Sequence, residues 1–100
     1  MIKHIILWTL KPELTDEEKK AVSLNIKKQL ENLNGKIEGL ISIKVRINEL
    51  PTSNVDVMLD SSFESGEALA FYASHPLHLD AANNHIRPYY SERRCFDFEE

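Results

Sequence analysis

The stretch Ile2-Lys3-His4-Ile5-Ile6-Leu7-Trp8-Thr9-Leu10 decides how this chain folds, because apolar side chains occupy both of its alternating faces. The even-numbered positions carry Ile2, His4, Ile6, Trp8 and Leu10, and the odd-numbered positions carry Lys3, Ile5, Leu7 and Thr9. Such a pattern is typical of a strand at the centre of a sheet that is covered on each side. We therefore predict a central strand at residues 2–10, closed by Pro12.

The following segment predicts a helix at residues 16–33. Thr15 and Glu18 match a capping box, in which each side chain accepts a hydrogen bond from the other residue's backbone N–H. Apolar side chains then recur with helical spacing and define one buried stripe, formed by Val22, Ile26, Leu30 and Leu33. Asn34-Gly35 provides the left-handed conformation that ends the helix.

The remaining elements alternate between strands and helices. Strands are predicted at 40–49, 55–63 and 94–98, a short helix at 66–74, and a second helical piece from Pro76 to about Ile86. In the second strand, the face expected to be buried carries Ile41, Ile43, Val45 and Ile47. In the short helix, the expected buried side consists of Ala68, Leu69 and Phe71.

This order of elements predicts an α+β, ferredoxin-like fold of the split βαβ type, a four-stranded antiparallel sheet with helices on one face. The first and third strands are central in that topology, in agreement with the first strand's two apolar faces. The uncovered sheet face would carry Ile5, Leu7 and Met58 among four charged residues, Lys44, Arg46, Asp56 and Asp60. Face-to-face pairing of two sheets would bury the apolar residues, so we expect a homodimer; a monomer with a hydrated second face is the alternative.

Composition limits the classes of partner. One hundred residues, 42% of them apolar, suit a single domain over residues 1–100. A net charge of −4, with the basic residues dispersed, argues against a nucleic-acid or membrane partner. Cys95 is the only cysteine, so we expect a packed free thiol, no intrachain disulfide and no cysteine-based zinc site. The apolar run at residues 5–8 is too short for a signal peptide, and a cytoplasmic location is expected.

The run Tyr72-Ala73-Ser74-His75-Pro76-Leu77-His78 holds the richest chemistry of the chain. On one unbroken helix, Tyr72 and His78 would point about 240° apart. Pro76 has no backbone N–H and biases His75 away from helical angles, so it breaks the helix. A break at this point brings His78 back toward Tyr72, and the two predict a shared pocket.

The pair suggests acid–base chemistry. His78 is the expected general base, since an imidazole titrates near pH 6.5 and partial burial lowers its pKa further. Tyr72 would donate a hydrogen bond to a carbonyl oxygen as negative charge develops there, which supports enolisation and an aldol-type ring closure. The structural alternative is that His78 caps or packs at the helix break and Tyr72 fills the core.

Three further residues are expected to bind the ligand. His4 and Trp8 share a strand face that should point toward the helices, where they would line a cavity. The alternative for His4 is a satisfied core histidine. His75 precedes the proline, and its alternative role is a capping contact.

No metal ion and no cofactor is predicted. His75, His78 and His85 lack the i, i+4 pairing of the HExxH type, and nothing directs Asp80 toward them. The sequence leaves open whether a hard cation binds through oxygen ligands.

A basic-aromatic cluster precedes the last strand, with Arg87, Arg93 and Arg94 around Pro88-Tyr89-Tyr90. We interpret it as a solvated terminus or an interface rim, with anion binding as the alternative.

The chain resembles the stress-responsive dimeric α+β barrel (Dabb) family over nearly its whole length. The matching segments are Lys3-His4-Ile5-Ile6-Leu7, Phe63-Glu64-Ser65, Ala68-Leu69, the Tyr72 to His78 run and Phe96-Asp97-Phe98. The resemblance implies a ferredoxin-like protomer whose sheets pair into a barrel dimer. Some plant members are cyclases that act on linear polyketides without cofactor or metal. They use a tyrosine and a histidine that match Tyr72 and His78, and a histidine that matches His4 lines their pocket.

Two functions follow as hypotheses. The first is a binding module that holds a small organic molecule between the helices and the sheet. The alternative is a cofactor-independent lyase or cyclase with His78 as base and Tyr72 as hydrogen-bond donor. A haem-degrading oxygenase is a third class, which shares the barrel dimer by fold analogy alone.

Overall fold

The computed structural model describes all residues from 1 to 100. Its strands are β1 (Ile2–Leu10), β2 (Leu40–Ile47), β3 (Val57–Phe63) and β4 (Tyr90–Glu99), and its helices are α1 (Asp16–Glu31), α2 (Gly66–Ser74) and α3 (Pro76–His85). The strands form one antiparallel sheet in the order β2-β3-β1-β4. The predicted ferredoxin-like α+β fold is confirmed, with β1 and β3 in the centre. None of the helices combines the length and apolar character that crossing a membrane requires.

The capping box begins α1 as predicted. The Glu18 N–H donates to Thr15 Oγ1 at 3.1 Å, and the Thr15 N–H donates to Glu18 Oε1 at 2.8 Å. The helix ends at Glu31, two residues earlier than predicted, with Asn32 as its C-cap. Gly35 adopts the left-handed conformation (φ 77°), but it does so within the turn that follows the helix.

The core lies between the inner face of the sheet and the helices. Its strand residues are Ile6, Trp8, Leu10, Ile43, Val45, Val57, Leu59 and Phe63, and the loops and helices add Ile26, Leu30, Leu33, Ile37, Tyr72 and Ile86. Burying one such aliphatic side chain contributes about 1.5–3 kcal/mol, so this cluster is the main source of stability. Because β1 and β3 supply six of these eight strand residues, the centre of the sheet also forms the floor of the core.

Two predictions of buried residues are wrong. A bulge between Leu40 and Ser42 places Leu40 in the inward position of β2, and Ile41 is 51% exposed. On α2, Phe71 is 50% exposed and Tyr72 is only 1% exposed. Tyr72 lies one helical turn beyond the half-buried Ala68, on the stripe that faces the sheet, whereas Phe71 is rotated by about 100° from it.

The outer face of the sheet, which we define as the face away from the helices, carries a band of apolar side chains. The register aligns Ile5 with Phe96 and Leu7 with Met58 across neighbouring strands. Phe96 is 68% exposed, and its ring packs edge-to-face on Phe98 at 5.8 Å. Contiguous exposed apolar residues of this kind mark an interaction surface.

A close approach at Gly39 fixes α2 on the sheet. Gly39 has φ 86°, and a Cβ built on it would lie 2.5 Å from the Cβ of Ala68. Gly39→Ala is expected to lower the free energy of unfolding by about 2–4 kcal/mol, from backbone strain and from overpacking together. Urea unfolding followed by circular dichroism measures this loss.

Gly35→Ala is the matched control, because Gly35 has a similar φ of 77° with nothing near its missing Cβ. It should cost only the strain, about 1–2 kcal/mol. Combining Gly39→Ala with Ala68→Gly should recover part of the difference as a coupling free energy. Equal losses in the two alanine variants, with no coupling, would contradict the close packing of α2.

Candidate functional site

The helix break stands where the proline predicts it. His75 has extended backbone angles (φ −67°, ψ 135°) and serves as both the C-cap of α2 and the N-cap of α3. Its Nδ1 accepts a hydrogen bond from the Leu77 N–H at 3.1 Å, and its ring packs edge-to-face on Phe71. His75 is absent from the cavity wall described below, so the structure gives it the capping role instead of the expected ligand contact.

The break brings Tyr72 and His78 together. Their ring centroids lie 4.3 Å apart, with the ring planes inclined at 42°. Tyr72 also packs on Phe63 of β3, at 4.9 Å between centroids, which holds the phenol ring against the sheet. The pair is therefore a fixed part of the core and, at the same time, a wall of the space beside it.

That space is a cavity of about 290 Å³ between the helices and the inner face of the sheet. Four of the residues expected to bind a ligand line it, namely His4, Trp8, Tyr72 and His78. Its apolar walls come from Ile6, Leu30, Leu59, Ala82, Ile86 and Tyr90. Arg87 and Arg93, which were interpreted from the sequence as part of a solvated terminus or an interface rim, also line it.

Two buried donors in the cavity wall have no hydrogen-bond partner in the protein. They are Trp8 Nε1 and the Tyr72 hydroxyl, on residues that are 4% and 1% exposed. An unsatisfied buried donor costs about 1–3 kcal/mol, so most native structures avoid it. Burial raises the pKa of Tyr72, and the phenol therefore keeps its proton at neutral pH. Both groups are available as donors to a molecule in the cavity.

His78 is oriented as a neutral base. Its Nδ1 lies 3.1 Å from the carbonyl oxygen of Ala73, and that contact requires Nδ1 to carry the proton. Nε2 is then the free lone pair. Burial lowers the pKa of His78, and the nearby positive charges of Arg87 and Arg93 lower it further, while the Ala73 carbonyl opposes this. The imidazole is thus uncharged and able to accept a proton at neutral pH.

A second polar cluster lies beside the cavity, in an adjoining groove that shares His4, Tyr72 and His78 with it. His4 Nδ1 hydrogen-bonds to Asp97 Oδ1, and Cys95 Sγ lies 3.4 Å from the same oxygen. His4 is therefore a satisfied histidine that also lines the cavity. The expectation of a packed thiol is wrong, because β4 is an edge strand and Cys95 is exposed.

The ligand atoms of His4, Cys95 and Asp97 lie within 4.8 Å of one another, a spacing that a metal ion can bridge. The fold does not bring together the three histidines that were considered as metal ligands from the sequence. His75 caps α3, and His85 hydrogen-bonds to Asn25. The sequence analysis missed the roles of Cys95 and Asp97. Both follow from pairing β4 with β1, which sets Cys95 opposite Ile6 and Asp97 opposite His4.

With this geometry established, the sequence profile described as the stress responsive A/B barrel domain (Dabb) matches residues 2–100. The chain belongs to this family. No curated protein matches it significantly. The predicted Dabb resemblance is thereby confirmed over almost the whole chain.

Solved structures show the same fold. A dimeric protein of unknown function with a ferredoxin-like fold, from Bacteroides fragilis, is 32% identical, with a TM-score of 0.92 over 99% of this chain and 95% of that one. A Dabb family protein from Mesorhizobium loti is 21% identical, with a TM-score of 0.74 and coverages of 99% and 95%. A hydroxynitrile lyase from Passiflora edulis is 15% identical, with a TM-score of 0.71 and coverages of 97% and 90%.

The Asp97 contact predicts a poorly reactive thiol at Cys95. Burial, the hydrogen bond to Asp97 and its negative charge all raise the pKa of Cys95, so alkylation by iodoacetamide at pH 8 should be slower than that of N-acetylcysteine. Asp97→Asn removes the charge, so the pKa of Cys95 should fall and the alkylation rate should rise. Mass spectrometry of the alkylated fraction between pH 7 and 10 measures it.

Glu99→Gln, two residues further along the same strand face, is the matched control and should leave the rate unchanged. If Asp97→Asn reacts at the wild-type rate, the carboxylate does not act on the thiol.

Proposed function

We propose that this Dabb protein binds a small organic molecule in the cavity between its helices and its sheet. The observation that carries the proposal is the pair of buried, unpartnered donors, Trp8 Nε1 and the Tyr72 hydroxyl, in the wall of a cavity lined mostly by hydrophobic residues. A ligand with a carbonyl or similar acceptor would satisfy these donors. The volume of about 290 Å³ lies near the lower end of ligand-pocket sizes, which supports a ligand of one or two rings.

A second candidate function, a cofactor-independent lyase or cyclase, is favoured by the arrangement of Tyr72 and His78. His78 Nε2 would take a proton from the carbon next to a carbonyl, while the Tyr72 hydroxyl donates to the carbonyl oxygen as it becomes an enolate. The enolate carbon would attack a second carbonyl of the same molecule and close a ring. The resulting alkoxide would then recover the proton from His78, so the base is regenerated.

The comparisons support this chemistry only at the level of the fold. The Passiflora edulis protein is a hydroxynitrile lyase, so a fold of this shape accommodates a lyase. What supports the proposal in this chain is its own geometry, a 4.3 Å ring separation beside an apolar cavity.

Enolisation can be tested before any natural substrate is known. The probe is 2-acetylnaphthalene, and the measurement is exchange of its methyl protons for deuterium, followed by NMR in D₂O. Wild-type protein should accelerate the exchange, and His78→Gln should reduce the acceleration by about 10²- to 10⁴-fold, the range for a lost general base. Tyr72→Phe should reduce it by about 10²-fold, as expected for the loss of one oxyanion donor.

Because burial lowers the pKa of His78, the acidic limb of the pH–rate profile should fall below pH 6.5. His85→Gln is the control, since His85 lies on the same helix and does not line the cavity. If His78→Gln exchanges the probe as fast as the wild type does, the enzyme proposal fails. If the probe binds but its protons do not exchange, only the binding function is supported.

We also propose that two copies pair through the outer face of the sheet. The support is the apolar band, in which Phe96 and Phe98 are exposed and Ile5, Leu7 and Met58 are half-buried, together with the relative from Bacteroides fragilis, which is described as dimeric. A stable interface buries about 1,200–2,000 Å² in total, so a sheet face with such a band is a suitable surface.

Phe96→Asp should convert the dimer into a monomer, because it places a charge at the most exposed side chain of the apolar band. Sedimentation velocity at micromolar concentration should give twice the 11.5 kDa chain mass for the wild type and the single mass for the variant. Phe71→Asp, an equally large exposed residue on the helical side, should remain dimeric. A monomeric wild type, or a variant series in which only Phe71→Asp dissociates, would overturn this assignment.

A further inference from the structure

The permanently charged side chains that line the cavity are both cationic. The twelve lining residues include two arginines and two histidines, and none is an aspartate or a glutamate. Neither Arg87 nor Arg93 takes part in an ion pair, whereas the adjacent Arg94 on the other face of β4 lies 3.6 Å from Glu92. The wall thus carries two guanidinium groups whose charge no protein carboxylate balances.

The two guanidiniums belong to different elements of the cavity wall. Arg93 lies on the inner face of β4, directly opposite Trp8 in the strand register. Arg87 follows the last turn of α3, next to the buried Ile86. A carboxylate has two acceptor oxygens, and a guanidinium donates charge-assisted hydrogen bonds to such oxygens, so a carboxylate in the cavity matches the chemistry of both arginines.

The positive charge of these arginines reaches the reactive pair. Burial is the main cause that lowers the pKa of His78, and His4, Arg87 and Arg93 lower it further. Arg93 also opposes the rise that burial causes in the pKa of Tyr72. The one carboxylate of the adjoining groove, Asp97, is already hydrogen-bonded to His4 and Cys95. It is therefore engaged by other groups and does not balance the arginines by an ion pair.

The remaining polar groups are donors as well. Trp8 Nε1 and the Tyr72 hydroxyl are buried and unpartnered, and the rest of the wall is aliphatic or aromatic. Such a site repels cations, and the acceptors that its side chains offer are limited to phenolic oxygens and imidazole nitrogens. An acceptor-rich anion with an apolar body satisfies every group at once.

We infer that the ligand is an apolar organic monoanion, an aromatic or unsaturated carboxylic acid whose carboxylate lies between Arg87 and Arg93. Its apolar body would fill the cavity, and a carbonyl at the far end would reach Tyr72 and Trp8. This inference rests on the proposed binding function and names the chemical class that the same cavity selects.

Matched probes test it by calorimetry at pH 7. The probes are 2-naphthoate, the neutral 2-naphthamide, and 2-naphthyl phosphate, which separates a carboxylate site from a general phosphate site. Wild-type protein should bind 2-naphthoate at least 10-fold more tightly than 2-naphthamide, and more tightly than the phosphate. Arg93→Gln and Arg87→Gln should each reduce the preference for the carboxylate, and the double variant should abolish it while 2-naphthamide binding stays within 2-fold.

Arg94→Gln is the control, because Arg94 lies on the same strand but on its opposite face, and it should leave all three affinities unchanged. All three arginines are exposed, and circular dichroism will confirm that the variants fold. Equal binding of 2-naphthoate and 2-naphthamide, or tighter binding of the phosphate, overturns the carboxylate inference and leaves the binding function intact. Failure of every probe to bind counts against the binding function itself.

Discussion

The central position of β1, with apolar side chains on both of its faces, is the constraint on which the rest of this structure depends. Because β1 pairs with β3 on one side and β4 on the other, its even-numbered residues point under the helices and its odd-numbered residues point to the outer face. His4 and Trp8 therefore line the cavity, while Ile5 and Leu7 join the exposed apolar band. A single nine-residue strand thus contributes to both the cavity and the proposed dimer surface.

The cavity is kept open at a cost in stability. Two buried donors without partners each cost about 1–3 kcal/mol, and a filled apolar core at the same place would avoid that loss. Natural proteins break the rules of polar satisfaction mainly where they bind or react. The helix break has the same character, since Pro76 gives up a backbone donor and places His78 against Tyr72. The unpartnered donors and the helix break lie beside the same cavity. Their proximity favours a functional explanation over a packing one.

Local signals in the sequence predicted most of the fold correctly. The Thr15–Glu18 capping box starts α1, and the break at Pro76 divides the second helical region, because both depend on backbone groups within a few residues. The predicted burial of Ile41 and of Phe71 was wrong because it depends on residues far away in the sequence. A bulge in β2 and the packing of α2 on the sheet are set by distant neighbours, and no window of local sequence contains them.

The candidate site divides in the same way. The sequence by itself determined that Tyr72 and His78 meet at the helix break. They are only six positions apart, and the break between them follows from the missing backbone N–H of Pro76. Only the tertiary structure decided that Arg87 and Arg93 line the same cavity without forming an ion pair. It also decided that Asp97 hydrogen-bonds to His4. Those relations join β1, α3 and β4, whose residues are up to 93 positions apart. Electrostatic balance is a property of distances in space, and the register of an edge strand sets it here.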